Sequence, residues 1–451
     1  MDAGLRPSPG FVLVLWASCL AMLAVGGNST AIMAALPTMT ADLSLSPAGA
    51  QWAVNAYLVT SAACTVLGGQ AADRFGARRA AMGGFVLFIL ASCIIALAGT
   101  QDLLLVGRSL QGFAASFAVP GTLAAVNTDA TPERKAAAIG AWTGLLVLGF
   151  SIGPLIGGLL THVAGWRTIF WFNAGLMTMA AIGLAAAGLA STGSGAHSRR
   201  TDWLGFVLLA TFMVALVFGL HAVPHAGSAP LEAAVPFVVA AVALALLLAA
   251  ERRVAAPLVD LSFFSRRGFV MGVAIGALSM FCIMALLFHF NLYAQSRDGL
   301  RLTPLEAGAA LLPLGAALLA LALSASALAA RIGLRTAMTG GLVTIVVAAA
   351  VLGVAVVERQ MALLAVGFLL MGGGLAVPYA SAPRLALSAL SPAQAGQGSG
   401  IVNACTFLGG SAGVATGAIA STLGSFPAVL AMIAIAGLAG AALSRFIAKP
   451  A

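Results

Sequence analysis

Thirteen carboxylates are available to this 451-residue chain for acid, base or ligand chemistry. They are Asp2, Asp42, Asp73, Asp102, Asp129, Glu133, Asp202, Glu232, Glu251, Asp260, Asp298, Glu306 and Glu358. All fall between long apolar runs or at their ends. The five cysteines (Cys19, Cys64, Cys93, Cys282 and Cys405) lie singly inside apolar runs, so neither a disulfide framework nor a metal-ligand spacing is visible. No Gly-x-x-x-x-Gly-Lys-Ser/Thr loop is present to cradle a nucleotide. Two basic groups stand several residues inside apolar runs. Arg108 lies in Arg108-Ser-Leu-Gln111-Gly112, and His289 in Phe288-His289-Phe290-Asn291. A buried arginine in lipid costs at least about 2.5–3.5 kcal/mol, so it must snorkel to the surface or find a partner such as Gln111. Among the residues within runs, His289 is the side chain tuned to neutral pH. It reads either as a satisfied packing residue or as a proton carrier.

The elements that position these groups are membrane helices. Apolar residues make up 61% of the chain and charged residues 8%, against about 25% charged in soluble domains. A spanning helix needs about 20 apolar residues, and fourteen such runs are expected. They cover 11–36, 50–71, 81–99, 103–126, 138–161, 168–190, 203–222, 233–250, 269–293, 304–328, 336–357, 361–382, 398–422 and 426–446. The first exceeds a signal-peptide core and follows a lone Arg6, so it reads as a retained helix.

The net charge of +9 is explained by where the cations fall. With the N-terminus inside, the inner loops hold Arg6, Arg74, Arg78, Arg79, Arg134, Lys135, Arg199, Arg200, Arg252, Arg253, Arg266, Arg267, Arg331, Arg335, Arg384, Arg445 and Lys449. The outer loops hold Arg167, Arg297, Arg301 and Arg359. This bias places both termini in the cytoplasm. The cations are scattered pairs, not a nucleic-acid patch.

The sequence also repeats. Leu45-Ser-Pro47 returns as Leu302-Thr-Pro304, and Arg74-Phe-Gly76-Ala-Arg78 as Arg331-Ile-Gly333-Leu-Arg335. Ala118-Val-Pro120 returns as Ala376-Val-Pro378. Gly149, Gly153 and Gly157 return as Gly409, Gly413 and Gly417. The near-constant offset maps the first six spans onto the last six. The expected fold is all-α, 6+2+6: one half in 1–190, a two-helix insert in 203–250 and a second half in 269–451, around a central cavity.

Three segments carry mechanism. In Gly69-Gln-Ala-Ala-Asp73-Arg74-Phe-Gly76-Ala-Arg78-Arg79, Asp73 is placed to cap the next helix, Gly76 to make the turn and the arginines to meet the anionic inner surface. Arg108–Gly112 forms another. The last is Gly149-Phe-Ser-Ile-Gly153-Pro154-Leu-Ile-Gly157-Gly158, where glycines four apart admit another backbone and Pro154 frees a carbonyl. It reads as a sliding seam between the halves or as a rigid packing seam.

These segments resemble signature motifs of the major facilitator superfamily. The order Ala35-Leu-Pro37, Gly165-Trp-Arg-Thr-Ile-Phe-Trp-Phe-Asn173, Asp202-Trp-Leu-Gly205, Pro257-Leu-Val-Asp260-Leu and Ala395-Gly-Gln-Gly-Ser-Gly-Ile-Val-Asn403 resembles its fourteen-helix drug:proton antiporter branch. The resemblance implies a bacterial plasma-membrane exporter of small amphiphilic compounds. It would exchange protons, act as a monomer in lipid and use no cofactor or metal. In that branch the first span carries an Asp shortly before Leu-Pro; here Asn28 stands there. Coupling would then run through His289 or the loop-edge acids Asp73 and Glu306, or be weak or absent. Coupling and gating are assigned to Asp73, Arg74, Gly76, Arg78, Arg108, Gly149, Gly153, Pro154, Gly157 and His289. The cavity lining is assigned to Asn28, Gln51, Asn55, Tyr57, Gln111, Trp142, Asn173, His289, Asn291, Tyr379 and Asn403. Without a mid-membrane acid, it favours neutral or anionic compounds, with Arg108 as the anion's partner. The alternatives are a facilitator or importer on the same scaffold, and a membrane-embedded enzyme, which would need a catalytic cluster that the sequence lacks. Asn28→Asp is expected to strengthen the proton dependence of efflux. An unchanged pH profile in that variant would remove Asn28 from the coupling position.

Overall fold

The computed structural model describes residues 8–189, 202–223, 230–254, 257–391 and 394–447. Arg6, Arg199, Arg200 and Lys449 of the inner cation set lie outside them. Among the described residues every regular element is a helix, as lipid requires of backbone that must satisfy its own hydrogen bonds. The first six are α1 (Pro9–Leu43), α2 (Pro47–Phe75), α3 (Ala77–Ala96), α4 (Gln101–Asp129), α5 (Pro132–Ala164) and α6 (Arg167–Ala186). Then come α7 (Trp203–Ala222), α8 (Pro230–Glu251), a 3-10 turn at Leu261–Ser265 and α9 (Arg267–Gln295). The last are α10 (Pro304–Ala310), α11 (Leu312–Ile332), α12 (Leu334–Val357), α13 (Met361–Ser388) and α14 (Ala395–Ser444).

The repeat is visible as repeated local structure. Ser46 and Thr303 are both N-caps, accepting from the amides of Gly49 (3.0 Å) and Glu306 (3.3 Å), and both precede a proline in the first turn. Gly76 and Gly333 make matching turns at φ 94°, ψ 140° and φ 86°, ψ 140°. Side chains rarely adopt that conformation, which is why glycine stands at both positions.

Helices α1–α6 pack into one bundle, with α1 against α5 and α6, and α4 against α2 and α3. Helices α9–α14 pack into another, with α9 against α14 and α13, and α12 against both. The pair α7–α8 lies outside, touching α2 and α14 through α7. Its outer face is exposed and apolar, with Trp203, Leu204, Val207, Leu231, Val238 and Leu246 turned away from the protein. Such a face needs lipid.

Among the described residues twelve helical stretches are long and apolar enough to cross a membrane. They count Pro304–Ile332 as one and Gln397–Ser444 as one, and they omit α2. Fourteen were expected. The difference has two causes. Helix α2 carries Gln51, Asn55, Ser61, Thr65 and Gln70, which lower its apolarity while it lies between α4 and α14. Helix α14 is continuous only in hydrogen bonding: Gly424 and Ser425 have non-helical dihedrals. That break falls between the expected spans 398–422 and 426–446. Phe426, just beyond it, stacks on Tyr293 at 5.3 Å and packs on Phe290 at 5.9 Å.

The glycine seam requires a correction. Gly149, Gly153 and Gly157 face α1 of their own bundle: added Cβ atoms would meet the Leu23 carbonyl, Thr30 and the Ala31 backbone. Gly409, Gly413 and Gly417 likewise face Ala277, Phe281 and His289 of α9. Residues four apart share one helix face, and that face is turned inward to the bundle. The next face round carries the contact between bundles. There Ser151, Pro154 and Gly158 of α5 meet Gly315, Gly308 and Pro304 backbone to backbone. The other extensive contact between bundles is α2 against α14, and α1 also touches α9 and α10. Gly157→Leu is expected to lose the folded monomer on size-exclusion chromatography. Gly140→Ala, where nothing lies within 4 Å, is expected to raise helix stability by about 1 kcal/mol. Comparable melting of the two variants would contradict this packing.

Candidate functional site

Arg108 is fully buried and does not snorkel. Its Nε donates to the Ala53 carbonyl at 2.7 Å and one terminal nitrogen to Gln111 Oε1 at 2.7 Å. The guanidinium stands 4.7 Å over the Tyr57 ring. Gln111 passes the chain on, donating to Ser92 Oγ at 2.8 Å. The arginine thus binds α4 to α2 and α3. Its other terminal nitrogen and the Tyr57 hydroxyl have no partner. A charge held this way, with one free donor, is available to an anion or a polar group entering between the helices.

Asn28 and Asn173 belong together. Asn173 donates to Asn28 Oδ1 at 3.0 Å, joining α6 to α1, and the Asn28 amide nitrogen has no further partner. Nearby, Thr30 donates to the Phe150 carbonyl at 3.2 Å, joining α1 to α5. A shallow pocket between α1, α5 and α6 is lined by Gly27, Ala31, Gly149, Gly153, Ile169 and Asn173. It lies within the first bundle, off the axis between the two.

The remaining lining residues disperse. Trp142 donates from Nε1 to Thr122 at 3.0 Å, holding α5 to α4. Asn55 meets His221 of α7 at 3.2 Å, and Trp52 stacks on that imidazole at 5.0 Å. Asn291 bonds within its own helix to Leu287 and keeps an unpartnered oxygen. His289 faces the Val414 carbonyl at 3.1 Å inside the α9–α14 seam. Tyr379 reaches across the bundles to Phe150, ring centroids 6.4 Å apart. Gln51 and Asn403 are half-buried and bond to no described side chain. The set therefore gathers into two polar clusters, Tyr57–Arg108–Gln111 and Asn28–Asn173, plus helix ties.

At the end bearing the α2–α3 turn, Arg78 is the tie. It forms an ion pair with Asp129 at 3.0 Å and donates to the carbonyls of Ala187 (2.9 Å) and Gly188 (2.7 Å), gathering the ends of α3, α4 and α6. Asp73 was expected to cap α3, but that helix starts at Ala77, behind Gly76, with no side-chain cap. Arg74 lies 5.3 Å from the Phe75 ring. At the opposite end Arg167 pairs with Asp42 at 2.6 Å and donates to the Ala98 carbonyl at 2.8 Å, while Trp166 donates to Asp42 at 3.0 Å. Glu306 spends its carboxylate on the capping box with Thr303.

Among the described residues these polar groups tie helices to one another. Among the described residues no three His, Cys, Asp or Glu are placed to hold a metal. The model of the Major Facilitator Superfamily matches residues 18–414. The chain belongs to this superfamily. It is 30% identical over 420 residues to the tetracenomycin C resistance and export protein of Streptomyces glaucescens, covering 92% of this chain and 76% of that one. It is 30% identical to the multidrug resistance protein Stp of Mycobacterium tuberculosis, covering 90% and 74%. It is 30% identical to the puromycin resistance protein pur8 of Streptomyces alboniger, covering 92% and 83%.

Within this superfamily member, sequence reading missed His221 and the burial of Glu251. His221 sits at a helix end beside Val-Pro, where a loop residue would be expected. Glu251 is followed by Arg252 and Arg253, a setting that ordinarily belongs to solvent. Only the packing of α7 on α2 and on α8 buries them. Arg108→Ala is expected to cut transport at least about tenfold and to lower the melting temperature, because Gln111 and the Ala53 carbonyl lose their partner, about 1–3 kcal/mol each. Arg108→Lys keeps the charge without the fork and is expected to impair transport with a smaller melting shift. Full transport in both variants would reduce the arginine to a packing element.

Proposed function

We propose that this chain exports small amphiphilic compounds of the drug or antibiotic type by alternating access, as a secondary transporter exchanging them for protons. The observation that carries the reading is the two-bundle fold joined with relatives, matched over nine-tenths of this chain, whose names specify resistance and in one case export. The two bundles meet along α5 with α10–α11 and along α2 with α14. Rocking about these two backbone-close seams would open a path between them to each membrane face in turn. Within this reading the crossings number fourteen, counting α2 and both arms of α14, in a 6+2+6 order. The end bearing Arg78 and the α2–α3 turn is cytoplasmic by its excess of cations, so the monomer sits in a bacterial plasma membrane with both termini inside.

In the same reading the substrate meets the Tyr57–Arg108–Gln111 cluster and the Phe150–Tyr379 pair. Arg108, with its free donor, favours neutral or anionic compounds over cations. The imidazole of His289 already lies on a backbone carbonyl in a seam within one bundle, which supports reading it as a packing residue.

The deciding measurement is export from a drug-sensitive host and into inverted vesicles, over neutral, cationic and anionic compounds, with and without a pH gradient. Gradient-dependent accumulation of neutral or anionic compounds is expected. Accumulation that ignores the gradient would favour a facilitator. His289→Ala is expected to retain gradient-driven export to within about threefold. Its loss at normal expression would put the coupling proton on His289.

A further inference from the structure

Among the described residues Glu251 is the one carboxylate that is fully buried, at 5% exposed. It closes α8 at the end of the protein bearing the α2–α3 turn. Its Oε1 accepts the Val259 amide at 3.1 Å, and its Oε2 has no partner. Asp202 opens α7 beside it. Asp202 Oδ1 caps that helix, accepting from Gly205 at 2.8 Å, and Oδ2 is buried without a partner. The two side chains converge over Gly205. A Cβ there would lie 2.6 Å from Asp202 Oδ2 and 2.8 Å from Glu251 Oε1, so the oxygens are no farther apart than those two distances laid end to end. Glycine is the residue that leaves room for both. Neither carboxylate forms an ion pair among the described residues.

Among the described residues the charged groups around them supply no counter-ion. Asp260 adds a third carboxylate, committed to the Ser262 amide. Arg252 and Arg253 follow Glu251 but are exposed. Helix α2, packed on α7, brings Asp73 and Arg74 to this end, and α14 brings Gln397; none bonds to either acid. Burial of Glu251 and the neighbouring Asp202 carboxylate both favour a neutral Glu251. One proton on Glu251 resolves the arrangement, because it removes one of the two charges and makes the unpartnered Oε2 a donor.

We propose that Asp202 and Glu251 form a proton-binding site, one proton shared between two carboxyls at the base of the two-helix insert. The site is connected to the moving parts. Glu251 holds the Val259 amide, and Gln397 donates to the carbonyls of Pro257 (2.7 Å) and Leu258 (2.9 Å) in the same segment. Gln397 lies in the first turn of α14, and Gly400 one turn on faces Val66 of α2 in the other bundle. Loss of the proton leaves two anions face to face, drives the ends of α7 and α8 apart and pulls on the start of α14. The insert thereby supplies the titrating carboxylate that the first span lacks at Asn28. This coupling role rests on the proton-exchange reading above. The occupancy of the site does not.

Infrared spectra of the purified full-length protein, compared at mildly acidic and alkaline pH, read the occupancy without any substrate. The expected result is a protonated-carboxyl carbonyl band that vanishes on alkalinisation and is missing from Glu251→Gln and Asp202→Asn, each of which keeps its backbone hydrogen bond. Gly205→Ala, which crowds both acids, is expected to move the midpoint of that titration. The proposal is overturned if the unmodified protein shows no such band, if Glu251→Gln retains it, or if sodium ions displace it and so mark a metal-cation site. In the export assay, Glu251→Gln is expected to flatten the pH profile while the unmodified protein shows a steep one. An unchanged profile in that variant would overturn the coupling role. Absence of export by the unmodified protein would overturn the export reading alone.

Discussion

Close approach of helix backbones is the constraint on which this structure depends. Lipid tails are as apolar as leucine, so burial supplies little drive for one helix to prefer another over lipid. What remains is van der Waals contact, which rewards helices that come near enough for carbonyl to meet Cα. The chain provides 53 glycines for this, and the decisive ones are few. Gly149 and Gly157 bring α5 onto α1, Gly409 and Gly413 bring α14 onto α9, and Gly158, Gly308 and Gly315 bring the two bundles together. A side chain at any of these would strike backbone, which cannot move aside. The seams within bundles and the seam between them are made in the same way. They differ in which face of α5 each uses.

Polar side chains act as a further adhesive, each at a defined joint. Arg78 gathers helix ends on one side of the membrane, and Arg167 on the other. Arg108 links α4 to α2 from within, and Asn173 links α6 to α1. Most of the polar residues along the spans are committed to such ties. That is why a chain of 8% charge holds a fixed arrangement. It is also why the free donor on Arg108 and the unpartnered oxygens of Asp202 and Glu251 stand out. A polar atom kept buried without a partner costs stability, and each of these lies where a ligand or a proton would relieve that cost.

The scarcity of acids takes on a different meaning once burial is known. In sequence, all thirteen lie at the edges of apolar runs, and a superfamily member with Asn28 in its first span is short of a titratable group. In the folded chain one of those edge acids is enclosed. The enclosure is made by the insert, whose outer surface faces lipid and whose inner ends pack on α2 and α14.

Much was legible in the residues themselves. Apolar runs separated by charges set most helix boundaries to within about seven residues, because lipid forbids unpaired backbone. The paired caps at Ser46 and Thr303 and the paired turns at Gly76 and Gly333 were readable as a repeat, because caps and positive φ are local demands met by particular residue types. Pairing was not local and was not readable. A glycine face at 149, 153 and 157 announces a close neighbour without saying whether it is α1 or the other bundle. Asp73 had the position of a cap, and α3 starts without a side-chain cap. Asn28, Trp142 and His289 had the character of cavity lining until their partners on other helices came into view. Glu251 had the setting of a solvated acid beside two arginines. Which helix stands next to which is set by the sum of all contacts in the bundle, so only the tertiary structure decided which polar groups are spent and which are left free.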